Sequence, residues 1–189
     1  MELAEKGGFE AVRLRDVASH AEVALGTLYR RFRSKEDLLI AALELETGDL
    51  ERRFAQRPPR GADATERVSA FFGMATRGLI RRPNLARALL KAAACGEPQL
   101  AKRMAAFHGH IEAMVVSAMR GSDGTPPSAP TETLRWLAHS LTLVWFSLLV
   151  GWSGGLHGQG VVIEEMRECV ELMLLGAVQR ASVAREEQA

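Results

Sequence analysis

The residues from Leu25 to Leu38 constrain the fold of this chain more than any other stretch. They read LGTLYRRFRSKEDL, which predicts a short helix, a two-residue break and the start of a second helix. Leu28 and Phe32 are four residues apart and share one helical face, so we expect this face to pack against a core. Ser34 and Asp37 have the spacing of a capping box, which predicts that the second helix begins at Ser34.

The outward side of the first of these helices carries Thr27, Tyr29 and Arg30. Hydroxyl and guanidinium groups bond to phosphate oxygens, and arginine also bonds to the acceptor edge of guanine. The formal net charge of the chain is only +1, but residues 13 to 35 hold six basic and two acidic residues. An isolated patch of this kind is more often a solvated face; here it coincides with a helix-turn-helix pattern, which favours nucleic-acid binding.

The residues before this stretch complete the helix-turn-helix pattern. Leu14, Val17, Ala18 and Ala21 recur at helical spacing and predict a helix from about residue 14 to residue 20. A three-residue turn follows, and the next helix runs from about residue 24 to residue 31. In such a unit the second helix enters the major groove of DNA.

Composition predicts an all-α fold. Apolar residues make up 47% of the 189 residues and charged residues 25%, which is too apolar for a disordered chain. No clean period-two alternation is visible, so helices are expected throughout. The first predicted helix is shortened and ends at Gly7-Gly8, and the two short helices follow it. The remaining predicted helices run from about Ser34 to Gln56, Ala64 to Ile80, Asn84 to Ala94, Glu97 to Met119, Thr131 to Trp152 and Val161 to Val183. Residues 1–46 are predicted to form a DNA-binding domain and residues 47–189 a larger second domain.

Several features predict a cytoplasmic protein without a membrane partner. The start, MELAEK, is charged and lacks the apolar run of a signal peptide. The longest uncharged apolar run, Leu141 to Trp152, is too short to span a bilayer and is interpreted as a buried helix. Cys95 and Cys169 lack metal-binding spacing and are predicted to be buried, reduced thiols.

Three runs of residues resemble the TetR family of transcriptional regulators. They are GFEA from Gly8, RDVA from Arg15 and GTLYRRFRSKEDL from Gly26. Two further runs, VALGTLY from Val23 and WFSLLVGW from Trp145, resemble the actinobacterial repressors of cholesterol catabolism. The resemblance implies an N-terminal helix-turn-helix domain joined to a helical ligand-binding and dimerisation domain.

Four departures from the family pattern weaken the DNA-binding domain. Glu22 stands where the turn usually has glycine, and a left-handed conformation there costs on the order of 1 kcal/mol relative to glycine. Ala24 replaces a serine cap worth roughly 1 kcal/mol, and Arg13 replaces a Ser or Thr cap. The fourth departure is the shortened first helix, which normally packs across the other two.

The resemblance also implies which residues touch double-stranded DNA. Arg15 is the candidate for a guanine contact, Leu25 for a thymine methyl, and Tyr29 and Lys35 for phosphates, with Arg13 adding a phosphate contact. The predicted DNA-binding residues are Arg13, Arg15, Leu25, Gly26, Thr27, Tyr29, Arg30 and Lys35.

By the same resemblance, the fifth to eighth helices surround a pocket for an apolar effector of steroid or acyl-CoA-like type. The predicted ligand-binding residues are Phe71, Met74, Leu89, Met104, Phe107, His108, Trp145 and Leu148. Methionine and aromatic side chains suit irregular apolar ligands, but each of them is more often ordinary core. His108 and His110 are two residues apart and cannot form a helical metal pair, so no metal is expected.

The last two helices have apolar faces wider than one core needs, and they are predicted to pair with their copies in a homodimer. The residues of these faces are Leu137, Leu141, Val144, Leu148, Trp152, Val162, Met166, Val170, Met173, Leu174 and Ala177. A twofold dimer suits a palindromic operator, because its two recognition helices read symmetric half-sites.

These observations predict a ligand-responsive transcriptional repressor, released from its operator by the effector. No phosphate loop, G-x-S-x-G motif or paired carboxylates are present, so neither an enzyme nor a cofactor is expected. The alternative is a small-molecule binding protein whose DNA-binding head is weakened or lost, which the short first helix, Glu22 and Ala24 favour.

Overall fold

The computed structural model describes residues 1–121 and 131–186, and the part of the chain it describes is helical without strands. The helices are α1 (Glu2–Ala11), α2 (Leu14–His20), α3 (Leu25–Arg31), α4 (Lys35–Gln56), α5 (Ala64–Ile80), α6 (Pro83–Ala93), α7 (Ala101–Arg120), α8 (Thr131–Ser153) and α9 (Gln159–Glu186), with a 3₁₀ turn at Pro98–Leu100. The predicted all-α fold is confirmed. Most of the predicted loop at 121–130 lies outside the described residues.

Local capping fixes the start of α4. The Ser34 hydroxyl accepts a hydrogen bond from the amide of Asp37 at 3.1 Å. The Asp37 carboxylate accepts one from the amide of Arg33 at 3.0 Å, one residue earlier than the capping-box pattern predicts. The helix therefore begins where the sequence predicts, and Asp37 also binds the backbone of the residue before the cap.

The first helix is interrupted at Gly7 and Gly8. Gly8 has φ 65° and ψ −162°, a backbone conformation that side chains with a Cβ rarely adopt, and helical structure resumes up to Ala11. The predicted break at the two glycines is thus present, but the helix does not end there. The segment is anchored on α6, because the Asn84 amide donates to the carbonyl of Glu5 at 2.9 Å.

The hydrophobic core extends from Ala4 in α1 to Leu174 in α9, with α8 packed against α6, α7 and α9. A row of aromatic rings crosses it, from Phe54 to Phe71, Phe72 and Trp145, with centroid separations of 5.8, 5.2 and 5.7 Å. Among the described helices, α8 alone is long and apolar enough to cross a membrane, a test that core helices also pass. Its burial against three neighbouring helices supports its interpretation as a core helix.

The structure corrects two predictions about individual residues. Cys169 is partly buried, and burial raises the pKa of its thiol, but Cys95 is exposed because it follows the last turn of α6. Seven residues predicted for the dimer faces instead lie in the core of the single chain: Leu137, Leu141, Trp152, Val162, Met166, Val170 and Leu174. The side of α8 and α9 that carries them faces α5, α6 and α7.

Candidate nucleic-acid interface and effector cavity

A tight turn joins α2 to α3. Glu22 has φ 54°, the only positive φ of a non-glycine residue within the described ranges. The amide of Val23 donates to the carbonyl of Ala18 at 3.0 Å and closes the turn. The family pattern usually has glycine at this position, which predicts a left-handed conformation there. Glu22 adopts this conformation although it carries a side chain.

The recognition helix α3 is exposed except for one residue. Leu28 is buried and anchors the helix, whereas Tyr29 is 56% exposed and Thr27 and Arg30 are also exposed. Arg30 Nη2 donates to Thr27 Oγ1 at 3.1 Å, so the two polar side chains lie together on the outer surface. Apart from its chain neighbours and the backbone of its own helix, no heavy atom lies within 4 Å of the position that a Cβ of Gly26 would occupy, which leaves the backbone open to close approach.

The two predicted arginines of α2 are exposed at the start of that helix. Arg13 precedes its first turn, with φ −118° and ψ 134°, and supplies no side-chain cap. Arg15 Nε lies 3.3 Å from Asp16 Oδ1, an exposed pair that contributes little to stability. Ala24 likewise supplies no cap to α3, as its side chain predicts. Both side chains are exposed, and Arg15 must leave Asp16 before it can reach a phosphate or a base edge.

Lys35 is placed differently from the other predicted DNA contacts. Its Nζ lies 3.3 Å from Glu10 Oε2 and 3.9 Å from the ring centroid of Phe9, and the side chain is only 28% exposed. Lys91 of α6 binds the other oxygen of Glu10 at 2.8 Å and stacks on the same ring. Hydrogen bonds from Lys91 and Lys35 lower the pKa of Glu10. Lys35 therefore joins α4 to α1 and α6, and a phosphate contact requires it to leave Glu10.

A cavity lies between α4, α5, α6, α7 and α8. It is lined by Leu43, Glu46, Thr47, Leu50, Arg53, Ala75, Leu79, Leu90, Phe107, Ile111, Trp145, Phe146 and Leu149. The cavity volume is about 40 Å³, and the empty space around it that includes open solvent is about 500 Å³. The lining is mostly apolar, with a few polar groups from α4, as is typical of small-molecule sites.

Two of the eight predicted ligand-binding residues, Phe107 and Trp145, line this cavity. Phe71 and Leu89 are buried elsewhere in the core, and Met74, Met104 and Leu148 are partly buried against it. For these five residues the alternative interpretation, ordinary core packing, describes their place in this structure.

Sequence reasoning missed the contribution of α4 to the cavity. Leu43, Thr47 and Leu50 are spaced four and three residues apart, so they share a helical face, and Thr47 Oγ1 donates to the Leu43 carbonyl at 2.8 Å. In the sequence, a threonine between two leucines on one helical face was the feature that could have indicated this wall of the cavity. Trp145, which also lines the cavity, donates from Nε1 to Thr76 Oγ1 at 2.9 Å. The helix that follows the recognition helix is thus also a wall of the cavity.

His108 lies beside the cavity and not in its lining. Its ring centroid is 5.5 Å from that of Phe107 and 5.4 Å from that of Phe146. Its Nε2 is buried and finds no hydrogen-bond partner in the part of the chain that the structure describes. Burial lowers the pKa of His108, so the ring is held neutral at pH 7.

Family models cover both parts of this architecture. Residues 1–42 match "Bacterial regulatory proteins, tetR family", and residues 61–185 match "Tetracyclin repressor-like, C-terminal domain". The chain belongs to the TetR family. This TetR-family chain is also similar to a crystal structure of a TetR transcriptional regulator from Rhodococcus sp. RHA1, with a TM-score of 0.76 and 25% identity over 92% of this chain and 89% of the other.

Curated relatives point to one group within the TetR family. The chain is 34% identical to the HTH-type transcriptional repressor KstR of Rhodococcus jostii, over 91% of this chain and 77% of the relative. It is 34% identical to KstR of Mycobacterium tuberculosis, over 80% of this chain and 66% of the relative. The relatives are named transcriptional repressors, which confirms the prediction of a TetR-family regulator and not an enzyme.

Proposed function

We propose that this TetR-family regulator represses transcription by binding a palindromic operator as a homodimer and that an apolar small molecule releases it. The observation that carries the DNA-binding part is the exposed surface of α3, where Thr27, Tyr29 and Arg30 surround the open backbone at Gly26. A helix with a buried anchor and polar outer side chains can enter a major groove without unfolding its own core.

Dimerisation is supported by the outer sides of α8 and α9. Trp136 and Leu143 of α8 are exposed, as are Leu172 and Leu175 of α9, with Leu172 at 72%. Large apolar side chains on two adjacent helices, away from the core, are typical of an interface between copies. The proposed interface uses the same two helices that the sequence predicts, through their opposite sides.

Release by an effector is supported by the place and the apolar lining of the cavity. Ligand sites hold roughly 300–1,000 Å³, so a steroid or acyl-CoA-like molecule does not fit an interior of about 40 Å³. Entry of such a molecule requires the walls to move apart, and one wall is α4, which is separated from α3 by only three residues. The effector then favours a conformation in which the two recognition helices no longer match their half-sites.

Operator binding is tested by fluorescence anisotropy with DNA from the region upstream of the chain's own gene, at two salt concentrations. Arg30→Ala is expected to weaken binding and to reduce the salt dependence by about one counterion. Arg52→Ala on α4 removes an equally charged, exposed side chain outside the helix-turn-helix and serves as the matched control. Binding that is independent of DNA sequence, or equal losses in both variants, would contradict the proposal.

Dimerisation is tested by sedimentation velocity. Leu172→Glu places a charge on the proposed interface and is expected to give monomers. Val23→Glu changes an exposed apolar residue of the helix-turn-helix and is expected to leave the mass unchanged. A dimer that survives Leu172→Glu would show that the subunits meet elsewhere.

A second candidate function is small-molecule binding without DNA recognition. It is favoured by the left-handed Glu22, the missing caps at Arg13 and Ala24 and the interrupted α1. Native mass spectrometry of a copurified ligand, together with absence of operator binding by the wild-type chain, would support this alternative over repression.

A further inference from the structure

One arginine of α7 binds two acidic residues of α4. Arg103 Nε and Nη2 donate to the two carboxylate oxygens of Glu44 at 2.6 and 2.7 Å. Its Nη1 donates to the Asp37 carboxylate, and to the Asp37 carbonyl at 3.2 Å. All three nitrogens of the guanidinium therefore bind to one surface of α4. The hydrogen bonds from Arg103 to Glu44 lower the pKa of Glu44.

Asp37 extends this contact to the end of the recognition helix. Its second carboxylate oxygen accepts the amide of Arg33 at 3.0 Å, and its own amide donates to Ser34 Oγ. The side chain of Arg33 in turn donates to Gln99 Oε1 at 3.2 Å, just before α7. Arg33 is thus held to α7 through Asp37 and Arg103, and to the 3₁₀ turn before α7 through Gln99.

The same face of α7 reaches the effector cavity. Phe107 and Ile111, both in the cavity lining, follow Arg103 by four and eight residues and so lie on one side of the helix. Eight residues of helix span about 12 Å. Because Arg103, Phe107 and Ile111 lie on one continuous helix, a shift of α7 at the cavity also displaces Arg103.

We propose that Arg103 is a positioning residue that couples the effector cavity to the DNA-reading head through Asp37. The inference deepens the proposed function and rests on it for its DNA readout. The pairs are partly exposed, with side-chain exposures of 28% for Arg103 and 18% for Asp37. A bidentate arginine–carboxylate network of this kind also contributes to stability. The position of Asp37 between Arg103 and the backbone amide of Arg33 points to orientation of the head as a separate effect of Arg103.

The experiment compares Arg103→Gln with Lys102→Gln, which removes the same charge from the exposed neighbouring residue of α7. Hydrogen exchange of residues 33–37 is measured together with operator affinity in the full chain. Arg103→Gln is expected to speed exchange in this segment, to leave exchange in α5 unchanged and to weaken operator binding about 5- to 20-fold. Lys102→Gln is expected to change affinity by less than about twofold.

Two further variants separate positioning from loss of the fold. Arg103→Lys keeps the charge but not the forked geometry, so it is expected to recover only part of the affinity. Asp37→Asn combined with Arg103→Gln is expected to weaken binding no more than the stronger single variant, because both act through one contact. Full additivity, or Arg103→Gln that equals Lys102→Gln in exchange and affinity, would overturn the assignment.

The two proposals fail in different ways. Absence of operator binding by the wild-type chain contradicts repression, whatever the variants do. The exchange comparison then still decides the role of Arg103, because faster exchange at residues 33–37 in Arg103→Gln alone supports positioning and equal exchange refutes it.

Discussion

Replacement of Glu22 by glycine tests the strain in the helix-turn-helix turn. With φ 54°, the Glu22 side chain holds its Cβ close to the following carbonyl, which costs roughly 1–2 kcal/mol for a residue other than glycine. Glycine removes this strain but adds conformational freedom to the unfolded chain, worth about 0.5–1 kcal/mol. We therefore expect Glu22→Gly to raise the free energy of unfolding by about 0.5–1 kcal/mol.

The matched control is Glu22→Ala, which removes the carboxylate but keeps the Cβ. Comparison of the two variants isolates the backbone term from the loss of a negative charge within the basic segment. Urea denaturation measures the difference directly, and for a chain of 189 residues a change of 1 kcal/mol corresponds to roughly 2–4 °C in Tm.

The result that refutes this reasoning is specific. If Glu22→Gly unfolds at the same or a lower urea concentration than Glu22→Ala, the left-handed turn carries no strain that glycine relieves. The same pair of variants then shows whether operator affinity follows the stability of the turn, because neither substitution touches the exposed surface of α3.

Three more substitutions probe the helix caps and the core. Thr76→Val leaves the buried Trp145 indole N–H without its acceptor and is expected to lower the free energy of unfolding by about 1–3 kcal/mol in urea denaturation. Thr76→Ser keeps the hydroxyl and is expected to retain most of the stability. Equal losses in the two variants would contradict the role of the hydrogen bond. Ala24→Ser supplies the cap that α3 lacks and is expected to add about 1 kcal/mol by thermal unfolding, with Ala24→Val as the control that cannot cap; the reverse order would refute it. Burial lowers the pKa of His108, so below about pH 6.5 the unfolded chain binds a proton at this imidazole more readily than the folded chain does. The free energy of unfolding therefore falls as the pH decreases. His108→Gln is expected to reduce this pH dependence, and an unchanged pH dependence would contradict the lowered pKa.

The local features of the DNA-binding head were predictable from the sequence because short-range interactions determine them. Ser34 caps α4 through a residue three positions away, and Glu22 and Ala24 depart from the helix-turn-helix pattern at positions where the backbone alone sets the cost. Lys35 was not predictable in the same way. Its partners Phe9 and Glu10 are 26 and 25 residues distant in sequence, and only the packing of α1 brings them to it.

Prediction of the cavity and of the proposed dimer surface required the arrangement of whole helices. Phe107 and Trp145 were identified because α7 and α8 were expected to face a pocket, but Thr47 was missed because α4 was interpreted only as a connection between domains. The apolar residues of α8 and α9 surround much of each helix. Spacing alone does not tell that Leu141 faces the core while Leu172 faces outward.

The indole of Trp145, held by its hydrogen bond to Thr76, can serve as an internal fluorescence probe. The indole of Trp145 lies in the cavity lining with its N–H bound, Trp152 is buried beneath the guanidinium of Arg87 at 5.0 Å, and Trp136 is exposed on the surface. The three indoles therefore emit from different surroundings. In a Trp136→Phe chain, the emission of the two buried indoles reports entry of a molecule into the cavity without a label, and candidate effectors can be ranked by titration before any operator is known.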